Sequence, residues 1–78
     1  MNDTDIRALA ADVLAGIAPE ADLASVGDDE DLREALDLDS MDFLNFVIGV
    51  GERSGRKIAD ADTRQLYTLR SLIVFLKT

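Results

Sequence analysis

The chain contains no cysteine and no histidine. Their absence excludes thiol nucleophiles, disulfides and zinc sites built from the usual ligands, and removes the side chain best suited to proton transfer at neutral pH. Tryptophan is also missing, and aromatic residues make up only 5% of the sequence, so the 47% hydrophobic content rests on Leu, Ala, Val and Ile. That mixture fits a helical domain better than a β-sandwich. Positive charge is scarce, with 8 Lys and Arg against 16 Asp and Glu and a net charge of −8. Such a field repels phosphate backbones and anionic lipid headgroups, which argues against nucleic acid as a partner. It attracts basic protein surfaces, with a strength that falls as salt rises. No basic leader followed by an apolar run is visible and no apolar run approaches a membrane span, so the expectation is a cytoplasmic protein without a membrane span.

The 78 residues are read as one domain, 1–78, with a single modest core and no room for a deep enclosed active site. Ile6, Leu9, Val13, Leu14 and Ile17 recur at helical spacing among alanines and predict a helix over Asp3 to Ala18, capped by Asn2, Asp3 or Thr4 and stopped by Pro19. From Pro19 to Asp39 the periodicity fades. This long connection has Leu23, Val26, Leu32, Leu36 and Leu38 as anchors and one capping-box-like start at Asp31 to Glu34. A second main helix is predicted from Ser40 to about Arg53, broken by Gly51, Ser54 and Gly55, with Arg53, Arg56 and Lys57 near its carboxyl end. Asp60 to Tyr67 suits a minor helix, and Thr68 caps a last helix with Leu69, Leu72, Ile73 and Leu76 on one face. The fold class is all-α: a four-helix bundle of three main helices and one short one, with a long loop between the first and second.

The second main helix is apolar through most of its circumference. Met41, Leu44, Val47 and Ile48 form one face and Phe43, Phe46 and Val50 a second, leaving Asp42, Asn45, Gly49 and Glu52 as a narrow polar stripe. A helix of that kind lies centrally or keeps apolar surface for a partner. At its start, Ser40 is placed to cap, with its oxygen accepting from an amide one turn on. Free amides and the dipole at the same end favour an added phosphate. Asp37, Asp39 and Asp42 oppose such a phosphate by like-charge repulsion, so acid around Ser40 makes most sense where a basic enzyme must find it.

The run LDLDSMDFLNFV, Leu36 to Val47, resembles the Asp-Ser-Leu attachment motif of acyl carrier proteins, with Asp39, Ser40 and Met41 in its three positions. The resemblance extends over essentially the whole chain, through DLREALDLDSMD before and into the second helix, SGRKIADADTRQL towards the short helix, and YTLRSLIVFL in the last. It implies a four-helix bundle whose serine, here Ser40, receives 4'-phosphopantetheine from coenzyme A through a separate phosphopantetheinyl transferase. It further implies that the arm's thiol carries acyl groups as thioesters for acyl-activating, condensing or acyl-transfer enzymes with basic docking surfaces. Such a carrier is a monomer without catalytic residues of its own, serving fatty-acid, polyketide or specialised lipid synthesis. Asp39 is then the preceding acid, and Met41 with Asp42 begins the partner-recognition helix.

One departure concerns the acidic stripe of that helix, which is thinned: Asn45 stands where a further Glu is usual, between Phe43 and Phe46. This points to dedicated partners or an altered acyl pocket, with Phe46 assigned to the core and Phe43 to partner or cargo contact. The acidic run at Asp28 to Asp31 lacks the alternating spacing and glycine of a calcium loop and reads as a solvated face, so no metal site is expected. The cluster Arg53, Arg56 and Lys57 reads as a solvated helix end, with a contact to an acidic partner or to the arm's phosphate as its functional alternative. Two alternatives to the acyl carrier stand: an aminoacyl or peptidyl carrier using the same arm, and an unmodified helical adaptor presenting Phe43 and the apolar helix. A hydrolase with paired carboxylates is the weakest reading, because so small a bundle offers little burial to separate two carboxylate pKa values.

Overall fold

A computed structural model describes residues 1–77. Helix α1 spans Asp3–Ala15 and starts at Asn2, whose Oδ1 accepts the Asp5 N–H at 2.8 Å, with Asp3 and Asp5 complementing the dipole in the first turn. It ends three residues before the predicted stop. Ile17 and Ala18 both donate to the Leu14 carbonyl, at 3.0 and 2.8 Å, so the chain tightens into a turn after Gly16, a poor helix former, before Pro19 can act.

The long connection is anchored as its pattern predicted. Leu23, Val26, Leu32 and Leu38 are buried and Leu36 packs against the core. It contains a 3-10 turn, Leu23–Ser25, and a single-turn helix α2, Leu32–Ala35, where Asp31 Oδ1 accepts the Arg33 N–H at 2.9 Å. The acidic run is exposed at Asp29 and Glu30, as a solvated face is expected to be, and is also tied to the bundle. Asp28 pairs with Arg7 of α1 at 3.0 Å and Asp29 with Arg70 at 2.6 Å, while the Asp28 carbonyl accepts the Arg70 N–H and Glu30 Oε1 accepts the Gly27 N–H. Two arginines on neighbouring helices draw the loop down, so it acts as a clamp. Among the described residues, no group of three or more acidic side chains is arranged to hold a metal ion.

Helix α3, Ser40–Ser54, runs through Gly51 and stops where Gly55 takes a left-handed φ of 73°, its N–H on the Gly51 carbonyl. The expected main face is reversed in part. Phe43, Phe46, Val47 and Val50 are buried, whereas Met41, Leu44 and Ile48 are exposed. Gly49, read as part of a polar stripe, instead lies against α1: a Cβ there would come 2.6 Å from Val13 Cγ1. Of the basic residues at this end, Arg53 and Lys57 are exposed as expected, Arg53 lying 3.8 Å from Asp12, whereas Arg56 is half-buried with its guanidinium 4.8 Å over the Phe75 ring.

A 3-10 helix, Asp60–Leu66, fills the place of the predicted minor helix. It leads into α4, Leu69–Lys77, where Thr68 Oγ1 accepts the Ser71 N–H at 3.2 Å and Leu69, Leu72, Ile73 and Leu76 are buried. Lys77 reaches Asp3 at 2.8 Å, so α4 runs antiparallel to α1. The described residues form no strand, and one core cluster draws on α1, the loop, α3, the 3-10 helix and α4. No helix among them is long and apolar enough to cross a membrane.

Candidate functional site

The end of α2 aims the chain into α3. Leu38 N–H donates to the Arg33 carbonyl at 2.8 Å and Asp37 N–H to the Glu34 carbonyl at 3.3 Å, the paired bonds of a Schellman termination. Asp37 occupies its left-handed position at φ 53°. That conformation costs an L residue about 1 kcal/mol and is best tolerated by Asp and Asn, so the turn accounts for Asp37 while its side chain stays exposed. The reversal sends Leu38 into the core and delivers Asp39 in an extended conformation.

Asp39, rather than Ser40, is therefore the cap. Its Oδ1 accepts the Asp42 N–H at 2.8 Å and its carbonyl accepts the Phe43 N–H at 3.0 Å. Both residue types cap well; the turn at Asp37 decides between them by placing the last non-helical residue at 39. Ser40 becomes the first helical residue, exposed, with a hydroxyl that makes no hydrogen bond among the described residues. Because Asp39 satisfies the amides of Asp42 and Phe43, those of Ser40 and Met41 are left without an intramolecular acceptor among the described residues.

Beside Ser40 lies an open hollow of about 480 Å³, lined by Arg33, Glu34, Leu38, Asp39, Ser40 and Phe43. Arg33 was not singled out from the sequence, although it is the only basic residue between Arg7 and Arg53. Its guanidinium lies 3.7 Å from the Tyr67 ring centroid and 5.8 Å from that of Phe43, and its Nε and Nη2 donate to the two Asp31 oxygens at 3.1 and 2.7 Å. Those hydrogen bonds hold the Asp31 carboxyl below its ordinary value and the guanidinium above its own.

Phe43 belongs to the core rather than to the surface. It is 8% exposed, with its ring centroid 5.5 Å from Tyr67 and 6.1 Å from Phe46, and reaches the outside only as a wall of the hollow. Phe46 is fully buried, as expected. The outward face of α3 instead carries Met41, Leu44 and Ile48, 62%, 49% and 49% exposed, at the spacing of one helical stripe, with Asp42 half-buried and Asn45 exposed nearby.

This arrangement presents an accessible hydroxyl and a guanidinium around one hollow, at a helix start whose Ser40 and Met41 amides have no acceptor among the described residues. It suits a phosphodiester formed on Ser40 Oγ, which needs access, donors and no competing hydrogen bond on the oxygen. Comparison with known protein families and with curated proteins finds no match to this chain.

Proposed function

We propose that the chain is an acyl carrier protein that holds acyl intermediates on a 4'-phosphopantetheine arm attached to Ser40. The observation that carries this reading is the uncommitted, exposed Ser40 hydroxyl beside its hollow, within the run whose Asp-Ser-Met resembles the carrier attachment motif. In loading, Ser40 Oγ attacks the phosphorus of coenzyme A that bears the pantetheine. The Oγ–P bond forms, the pyrophosphate P–O bond breaks, adenosine 3',5'-bisphosphate departs, and the serine proton passes to the transferase. When bound, the arm supplies a thiol that carries acyl groups as thioesters, so a chain without cysteine or histidine needs no reactive group of its own. Its contribution is positioning: a tether raises the cargo's effective concentration at each partner's site.

The partners are a phosphopantetheinyl transferase and cytoplasmic acyl-activating, condensing or acyl-transfer enzymes. Asp37, Asp39 and Asp42 would draw their basic surfaces, and Met41, with the exposed Leu44 and Ile48, would supply the apolar part of the contact. Incubation with coenzyme A and a broad phosphopantetheinyl transferase is expected to add one arm by intact mass, and none to the Ser40→Ala variant. Folded wild-type protein that resists several such transferases would remove the assignment. Loading by aminoacyl- rather than acyl-activating enzymes would redirect it to the aminoacyl carrier. The exposed stripe on α3 also favours a second reading, an unmodified adaptor, which would bind its partner equally well as Ser40→Ala and carry no arm when purified from its native source.

A further inference from the structure

Any anion attached to Ser40 enters acidic surroundings. Glu34 and Asp39 line the hollow with it, and Asp37 and Asp42 lie close in sequence. Against them the hollow holds one cation, Arg33. We propose that Arg33 is a positioning residue that binds the phosphate of the arm on Ser40 and holds the first part of the arm in the hollow. This rests on the attachment reading above.

Three observations carry it. The guanidinium uses Nε and Nη2 on Asp31, which leaves the two N–H groups of Nη1 without an acceptor among the described residues. Its plane is fixed by the Tyr67 ring on one side and by the Asp31 oxygens along one edge, so little side-chain freedom is lost when the free edge takes an anion. Of the acids lining the hollow, Asp39 is committed to the Asp42 amide and Glu34 is exposed to solvent, which leaves the Nη1 edge and the Ser40 amide as the donors that face the phosphate's side of the repulsion. Arginine donors on phosphate oxygens form charge-assisted bonds, among the stronger contacts available at a half-exposed site.

The test compares wild type, Arg33→Gln and Asp31→Asn, each incubated with coenzyme A and a broad phosphopantetheinyl transferase. Intact mass comes first: wild type that never gains an arm overturns the attachment reading and this inference with it. Once wild type is loaded, the Arg33 Nε–Hε resonance is expected to move between unloaded and loaded protein. The phosphodiester ³¹P line is expected to be broader and shifted in loaded wild type relative to loaded Arg33→Gln, and to move towards the Arg33→Gln position as salt is raised. Asp31→Asn keeps the guanidinium and is expected to retain the ³¹P shift, which preserves the test if the loss of stacking on Tyr67 unfolds Arg33→Gln. A loaded wild type whose Arg33 resonance stays at its unloaded position, with a ³¹P line unaffected by salt, overturns the role of Arg33 while leaving the attachment at Ser40 intact.

Discussion

Ser40 and Asp39 are both residue types that can cap α3, and the structure gives the cap to Asp39. Since the cap is Asp39, Ser40→Ala removes a solvent-facing hydroxyl from a position where alanine is a good helix former. Its stability is expected to stay within about 0.5 kcal/mol of wild type in urea unfolding, while uptake of the arm is lost. Asp39→Ala should cost about 1 kcal/mol, with Asp39→Ser or Asp39→Asn recovering most of it. If Ser40→Ala proved the more destabilising of the pair, the cap would have been misplaced by one residue. The adjacent pair is hard to read in sequence because Asp and Ser are both strong caps; the deciding feature is the left-handed Asp37, a backbone property that composition does not reveal. Arg33 was overlooked for a related reason. Its significance lies in a ring 34 positions away, Tyr67, and in a hollow that exists only when α2 and α3 meet.

At the scale of the element, α3 shows how far periodicity reaches. Both apolar faces exist, but a helix that is apolar through most of its circumference does not declare which face is inside. The choice was made by Gly49, whose missing side chain lets α1 approach at Val13, and by the ring cluster of Phe43, Phe46 and Tyr67. Gly49→Ala therefore sets two effects against each other. Alanine gains about 1 kcal/mol of helix propensity, and a Cβ 2.6 Å from Val13 Cγ1 overpacks the contact by about 1–3 kcal/mol. A net loss of about 1 kcal/mol is expected, smaller when Val13→Ala is present; a double-mutant cycle measures the coupling, and simple additivity would show that the two helices do not meet there. The exposed stripe gives the opposite outcome: Ile48→Asp should leave unfolding within about 0.5 kcal/mol of wild type and slow arm transfer from coenzyme A at limiting transferase. Equal transfer rates would place docking elsewhere.

For the whole molecule, the acidic loop is the least expected part. Asp28, Asp29, Asp31 and Asp3 each have a carboxyl pKa below the ordinary value, held there first by hydrogen bonds from Arg7, Arg70, Arg33 and Lys77 respectively. A carboxyl depressed in the folded state contributes stability that is fully present above its unfolded pKa and lost as pH falls through the folded one. The urea midpoint is therefore expected to fall below about pH 4, and the fall to be shallower in Arg7→Gln/Arg70→Gln, which lacks two of the pairs. These pairs are exposed and individually weak; their effect lies in pinning one loop to α1 and α4 at once. An unchanged pH slope in the double variant would show that the loop is held by Leu23, Val26 and Leu32 alone.

The helical class, the approximate helix boundaries, the anchors of the long loop and a strong cap at the Asp39–Ser40 step were set by the sequence itself, because helical periodicity, capping chemistry and charge are local properties. Tertiary structure decided which face of α3 turns inward, which of two adjacent caps is used, that the acidic run is a clamp, and that one arginine shares a hollow with Ser40. The face of α3, the clamp and the stacking of Arg33 on Tyr67 depend on residues far apart in the chain being close in space, and a linear pattern carries no record of distance; the cap depends on the left-handed backbone at Asp37, which residue type alone does not reveal.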